Sequence, residues 1–183
     1  MNRPTVFIGI DPAFRKSGFC LCCIDTKDNT VSFKTFKNRL MDFMSWVKND
    51  APNKDDCIIC VENSNLQDEF FYTHRAVKGG ALLTYSQSKA IKSRPLSQAE
   101  SNKSNRDVGK NMATSQMTVD FLGIFDFKVI DLSPKQKGTK LNEFQFQQIA
   151  KQNKHSVPKT TTQDERDAYK LALIAKDKSK TKF

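Results

Sequence analysis

The chain opens on an apolar run that ends abruptly at a charged residue. Residues 5–10 read TVFIGI, a near-continuous apolar pattern that is typical of a strand buried on both faces of a sheet. Asp11-Pro12 follows directly, and proline restricts the residue before it and cannot continue a central ladder. We therefore expect the chain to leave the sheet here, with Asp11 at the strand's end. A simple turn-initiating aspartate explains the same pattern equally well.

A second predicted strand also finishes on a carboxylate. Residues 56–62 read DCIICVE, and the turn formers Asn63, Ser64 and Asn65 follow Glu62. Between the two runs the pattern predicts further elements, namely strands over 18–25 and 31–36 joined by a hairpin turn at Asp28-Asn29, and an amphipathic helix over 39–48.

The middle of the chain is less regular. Helical segments are expected over 66–90, and the polar stretch 93–110 is typical of a mobile loop. The next stretch, 111–124, predicts a helix with two apolar sets. One set is Ala113, Met117, Phe121 and Ile124, and the other is Met112, Val119 and Leu122. The second set indicates either contact with another subunit or a larger core. A strand over 127–132 and a helix over 142–152 follow.

The final predicted helix begins with acids on its apolar side. Thr161 with Asp164 fits a capping box, and the apolar face comprises Ala168, Leu171, Ala172 and Ala175. Extending this stripe backwards by three and four residues reaches Asp164 and Asp167. Buried carboxylates that lie side by side are costly unless a cation neutralises them. The alternative is that both aspartates are solvated helix caps.

Together these patterns predict an α/β domain in which four acids meet at one edge of a mixed sheet. Such a set can hold two divalent cations. Carboxylate oxygens suit magnesium or manganese, and only His74 and His155 are available as imidazole ligands. The five cysteines lie in apolar runs and are expected to be reduced core residues. Zinc at Cys57 and Cys60 is disfavoured because residues three apart on a strand point to opposite faces.

The composition indicates an anionic partner. The 183 residues carry a net charge of +10, and 11 Lys and one Arg against five acids fall in 133–183. Nucleic acid is the default partner for such a chain. We expect a single domain over 1–183, with an insertion at about 64–108 and a basic tail at about 176–183. No run approaches the roughly 20 apolar residues of a membrane span, and no signal-peptide pattern opens the chain, so an intracellular, cytoplasmic location is expected.

An ordered set of motifs resembles one known family. The motifs are Gly9-Ile10-Asp11-Pro12 with Ser17-Gly18, Val61-Glu62, Val129-Ile130-Asp131-Leu132-Ser133-Pro134 with Lys135 and Lys137, and Asp164-Glu165-Arg166-Asp167-Ala168. In this order they closely resemble the RuvC-type Holliday junction resolvases of the RNase H-like fold. The stretch from Gly109 to Gln116 is similar to the family's dimer-forming helix region. The resemblance spans nearly the whole chain.

The resemblance implies a homodimeric, magnesium-dependent endonuclease that nicks four-way DNA junctions symmetrically, with no small-molecule cofactor. The implied fold has a mixed five-stranded sheet with helices on both faces. Asp11, Glu62, Asp164 and Asp167 would bind two Mg²⁺ ions, with Mn²⁺ as a substitute. Lys135 or Lys137 would stabilise charge at the scissile phosphate, and Lys140 would contact DNA. A phage-encoded member would act in the host cytoplasm.

The chain departs from the family pattern in two places. Ala13 stands where the family usually has glycine, and the segment between Glu62 and Gly109 is longer than in the bacterial enzymes. The family places a junction-wedging aromatic shortly after the glutamate, which would be Phe70, Phe71 or Tyr72 here, although core packing explains these residues as well.

Three other functions share parts of this pattern. A related RNase H-like nuclease acting on RNA, flaps or other branched DNA would use the same carboxylates. A nucleic-acid-binding protein on the same fold would bind without cutting. An actin-like ATPase shares the opening strand and aspartate, but the chain is too short for its two domains and lacks a second glycine-rich phosphate loop.

Overall fold

The apolar runs of the sequence form a single five-stranded sheet. The computed structural model describes residues 3–13, 19–38, 40–66 and 98–182. The strands are β1 (Val6–Pro12), β2 (Phe19–Asp25), β3 (Thr30–Thr35), β4 (Cys57–Glu62) and β5 (Lys128–Leu132). Their order in the sheet is β3-β2-β1-β4-β5. The pairs β1–β2 and β2–β3 are antiparallel, whereas β1–β4 and β4–β5 are parallel. The predicted α/β class and mixed sheet are confirmed.

Five α-helices accompany these strands in the described residues. They are α1 (Leu40–Asn49), α2 (Gln98–Ile124), α3 (Pro134–Lys137), α4 (Glu143–Gln152) and α5 (Gln163–Lys182). Short 3-10 turns cover Lys54–Asp56 and Ser64–Leu66. Among the described residues, no helix combines the length and the apolar character that a membrane crossing requires.

Helices cover the sheet on both faces, and the alternation of strand side chains builds a core on each. Phe7 and Cys60 point to the face that α4 and α5 cover, together with Tyr169 and Leu171. The opposite face packs against α1 and the C-terminal half of α2, and its members include Ile8, Cys57, Phe43, Trp46 and Leu122. Cys57 and Cys60 thus lie on opposite faces, as expected, and all five cysteines are free thiols.

The first strand continues slightly further than predicted. Asp11 and Pro12 still pair with Cys20 and Phe19 of β2, whereas the pairing of β1 with β4 ends at Ile10. The chain therefore leaves its pairing with β4 at Asp11, as expected, but the expectation was wrong for β2, because that pairing continues to Pro12. Proline is tolerated here because the pairing on its other side has already ended.

Helix α2 corrects two further predictions. Residues 98–110 are helical and not a loop, because Gln, Ala, Glu, Lys and Arg are good helix formers even without an apolar stripe. The stripe of Ala113, Met117, Phe121 and Ile124 reaches the core only through half-buried Phe121, whereas Met117 and Ile124 are exposed. Leu122 and half-buried Val119, from the other apolar set, also face the sheet. Polar residues share this buried side, so a search for apolar residues alone selects the wrong face; they are Thr114, Ser115 and Thr118.

The lysine-rich end is helical as well. Helix α5 continues to Lys182, so residues 176–182 of the predicted basic tail extend the helix. Lys180 pairs with Asp177 at 2.9 Å on its exposed surface. The predicted apolar face is confirmed, since Ala168, Leu171, Ala172 and Ala175 are all buried.

Gly9 is a point of close approach between strand β1 and helix α5. A Cβ at this position would collide with the carbonyl oxygen of Ala168 and the amide nitrogen of Ala172, and would lie 2.8 Å from the Cβ of Leu171. Backbone atoms cannot move aside without shifting the whole helix. Only glycine therefore allows α5 to lie directly on β1.

Gly9→Ala should lower the free energy of unfolding by about 2–4 kcal/mol, because the added methyl pushes α5 off the sheet. Gly123→Ala is the matched control, since no described atom lies within 4 Å of the place that its Cβ would occupy, and alanine favours a helix. Urea unfolding measures both. Equal stability of Gly9→Ala and wild type would show that α5 is not held at this contact.

Candidate functional site

Two strand ends bring the first two acids together. Strands β1 and β4 are parallel, and Ile10 is paired with Val61. The next residues, Asp11 and Glu62, therefore lie at the same end of the sheet. Asp11 is 9% exposed, and Glu62 is largely buried. The carboxyl ends of adjacent parallel strands meet here, as the sequence predicted.

Helix α5 supplies the other two acids from its first two turns. Asp167 is 1% exposed and directly precedes Ala168, which lies against Gly9. Asp164 is half-buried. All four predicted acids line one pocket of about 300 Å³. Its other lining residues are Pro12, Ala13, Ser64, Val108, Asn111, Met112, Ser115, Pro134, Lys137 and Lys140.

Of the three predicted lysines, Lys137 enters the pocket most deeply. Its ammonium forms an ion pair with Glu62 and lies 3.1 Å from Asp167 Oδ2, and its side chain is only 4% exposed. Lys140 lies at the rim, 68% exposed and 3.7 Å from the same oxygen. Lys135 is exposed and does not line the pocket.

The short helix α3 explains why Lys137 points inwards. Ser133 caps this helix, since its hydroxyl accepts from the Gln136 amide while the Gln136 side chain accepts from the Ser133 amide. Gly138 then turns the chain with a φ of 77°. The Ser133 cap at the start of α3 and the Gly138 turn at its end together orient Lys137 towards the acids and leave Lys135 exposed.

Burial and the crowding of negative charge both shift the pKa values of groups in the pocket. Burial raises the pKa of Asp11 from 3.8 to about 8, and the carboxylates of Glu62, Asp167 and Asp164 add to this rise, whereas Lys137 opposes it. Burial alone would lower the pKa of Lys137, but the carboxylates of Asp11, Glu62 and Asp167 outweigh burial and raise it above 10.5. The pocket therefore favours any additional positive charge.

A ring of polar contacts behind the pocket anchors the end of β4. The buried Asn63 side chain donates to Asp131 Oδ2 at 3.1 Å and to Gln116 Oε1 at 3.2 Å. The Asn63 backbone amide donates to the carbonyl of Leu132 at 2.7 Å. These bonds connect β4, β5 and α2 next to Glu62. The sequence pattern indicates Asn63 only as a turn former, so this role was not predicted.

A second network anchors the start of α5. Arg166 donates through Nη1 to Glu143 Oε2 at 2.8 Å and to the carbonyl of Thr161 at 2.6 Å, and through Nη2 to Gln163 Oε1 at 3.1 Å. Gln163 Nε2 in turn donates to Asp167 Oδ1 at 2.9 Å. Arg166 and Glu143 therefore orient Asp167, a role that no local pattern indicates because the two partners lie 23 residues apart.

The helix cap differs from the prediction by one residue. Thr162 Oγ1 accepts from the Glu165 amide at 3.2 Å, and Glu165 Oε2 accepts from the Thr162 amide at 2.7 Å. Thr161 instead donates to Glu143. The predicted pairing of Thr161 with Asp164 was therefore wrong. Because Glu165 provides the cap and Asp167 is buried, the interpretation of both aspartates as solvated caps does not hold for Asp167.

The donor set fits a hard divalent cation. Glu62 Oε2 and Asp167 Oδ2 are buried, and both are paired with the single ammonium of Lys137, so one positive charge is shared between two carboxylates. Oxygen donors of this kind are the ligands that magnesium and manganese prefer. No group of three or more His, Cys, Asp or Glu side chains in the described ranges is already arranged to chelate a metal. Lys137 lies between two of the acids.

Some predicted residues lie outside the described ranges. Phe70, Phe71 and Tyr72, expected as junction-wedging aromatics, fall in the gap 67–97, and Ser17 and Gly18 fall in the gap 14–18. Comparison of the chain with models of known protein families, with curated proteins and with solved structures finds no match.

The shifted pKa of Asp11 predicts a pH dependence of stability. The folded protein keeps the Asp11 proton up to about pH 8, whereas the unfolded chain releases it near pH 3.8. This group therefore stabilises the metal-free fold most below pH 4, and its contribution is lost as pH rises towards 8. Asp11→Asn should remove that loss.

The measurement is urea unfolding in EDTA between pH 4 and pH 8. The free energy of unfolding of Asp11→Asn should gain about 2–4 kcal/mol on wild type over this range. Parallel pH profiles for the two proteins would show that Asp11 is not buried among like charges.

Proposed function

We propose that this protein is a RuvC-type endonuclease of the RNase H-like fold that resolves four-way DNA junctions through magnesium-dependent hydrolysis. The observation that carries the proposal is the convergence of Asp11, Glu62, Asp164 and Asp167 on one pocket at a sheet edge. They come from three segments far apart in the chain and are buried or half-buried together. Burial of so many acids is costly, which favours selection for a cation-binding role.

The sheet topology supports the same assignment. The order β3-β2-β1-β4-β5 combines two antiparallel pairs with two parallel pairs, and a mixed five-stranded sheet is what the resemblance implied. The central strand carries Asp11, the neighbouring parallel strand carries Glu62, and the last helix carries the Asp-x-x-Asp pair.

Asp11, Glu62, Asp164 and Asp167 would hold the magnesium ions. Two such ions, when bound, supply activation of a water molecule and stabilisation of the leaving 3′ oxygen. Three further side chains hold the strand end and helix start that carry the acids, namely Asn63, Gln163 and Arg166. The exposed Lys140 at the rim is placed to meet a backbone phosphate, and the net charge of +10 favours association with DNA.

Paired symmetric nicks require two such sites, and therefore a second copy of the chain. The exposed stripe on α2 offers an apolar surface for that copy, since Met117 is 50% exposed and Ile124 is 74% exposed. Lys135 is also exposed and lies two residues before Lys137, so we expect it to add positive charge to the surface near the pocket.

Wild-type protein should cut a synthetic four-way junction in Mg²⁺ with symmetric nicks, and Mn²⁺ should substitute. Asp11→Asn should slow cutting by at least about a hundredfold, because it removes a ligand from the pocket. Asp177→Asn is the matched control, since it neutralises an exposed acid on the same helix, away from the pocket.

Three substrates of identical sequence should be compared, namely the junction, a flap and an RNA–DNA hybrid. Faster cutting of the flap or the hybrid would replace junction resolution by another nuclease activity. Equal cutting by wild type and Asp11→Asn would contradict the mechanism. Magnesium-independent binding without any cutting would indicate a non-catalytic nucleic-acid-binding protein.

A further inference from the structure

The position of Lys137 poses a chemical problem for metal binding. Its buried ammonium forms ion pairs with Glu62 Oε2 and with Asp167 Oδ2, so one positive charge serves two buried carboxylates. Carboxylate oxygens are also the ligands that magnesium and manganese ions prefer. The Lys137 ammonium and a metal ion would therefore compete for the same two carboxylate oxygens, one of Glu62 and one of Asp167.

The structure of the turn allows the ammonium to move while the backbone stays in place. Ser133 and Gln136 cap the short helix α3, and Gly138 ends it. The lysine side chain, by contrast, is a flexible four-carbon stem with a compact charge. Lys137 can thus leave Glu62 and Asp167 without disturbing the elements that carry it.

We propose that Lys137 is an intramolecular counter-ion that holds Glu62 and Asp167 together in the metal-free protein and is displaced when a divalent cation binds. This inference rests on the proposed function and adds a regulatory step to the same site. The displaced ammonium stays close to the pocket and becomes available to the anionic phosphate of a bound DNA strand. Metal binding and phosphate binding are thereby coupled through one side chain.

Lys137→Met tests this exchange, because methionine keeps most of the volume and removes the competing charge. The variant should bind magnesium about tenfold more tightly than wild type in calorimetric titration with magnesium chloride. Its metal-free form should unfold at lower temperature, because two buried carboxylates lose their partner. Added magnesium should raise its melting temperature more than that of wild type.

Lys140→Met is the matched control. Lys140 also lies near Asp167 Oδ2, at 3.7 Å, but its side chain is 68% exposed, so solvent screens its charge. Its removal should change magnesium affinity by less than about twofold. An effect as large as that of Lys137→Met would mean that general charge, and not displacement from the donors, sets the affinity.

Lys137→Arg provides a second variant in case Lys137→Met does not fold. A guanidinium holds carboxylates through two bonds at once, so this variant should bind magnesium more weakly than wild type. Unchanged magnesium affinity in the folded Lys137 variants would overturn the counter-ion role and leave the nuclease proposal standing on junction cleavage. Absence of magnesium binding in wild type would overturn both.

Discussion

The contact between Gly9 and helix α5 is the constraint on which the rest of the site depends. Residues 7, 9 and 11 point to the same face of β1, so the strand that receives the helix at Gly9 carries Asp11 one step further along. Ala168 rests on Gly9, and Asp167 directly precedes it. The contact that packs the core therefore also sets the separation of acids from opposite ends of the chain. A larger residue at Gly9 would disturb stability and site geometry together.

The second organising feature is the balance of charge at the sheet edge. Four acids occupy a pocket in which burial and the neighbouring carboxylates raise the pKa of Asp11, and one buried ammonium lies between Glu62 and Asp167. Hydrogen-bond networks around Asn63 and Arg166 hold the backbone on either side. A rigid frame thus surrounds a small set of groups whose charges are incompletely compensated. That arrangement suits a site that gains a cation in use better than one that serves stability alone.

Much of this arrangement is predictable from sequence, because local patterns determine it. Two apolar strands end on acids, and an apolar helical stripe extends back to Asp167, so their meeting follows from strand direction and helix period. The polar stretch 98–110 gave a wrong prediction because helix propensity and apolar periodicity disagree there. Two contacts join residues that are far apart in the sequence, so no local pattern predicts them. They are the contact of Arg166 with Glu143 and the contact of Asn63 with Asp131. Lys137 and not Lys135 enters the pocket because Ser133 caps the short helix α3 that carries both lysines, and this cap is not evident from the spacing of the lysines.

We propose that Asp11, Glu62, Asp164 and Asp167 together form one site for divalent cations. The most direct measurement is a crystal structure of the protein soaked in manganese chloride, with anomalous scattering used to locate the metal. We predict manganese within bonding distance of Asp11, with Glu62 and Asp167 as further ligands and the Lys137 ammonium moved out from between them. Manganese bound only elsewhere, with Lys137 still paired to both acids, would contradict this claim.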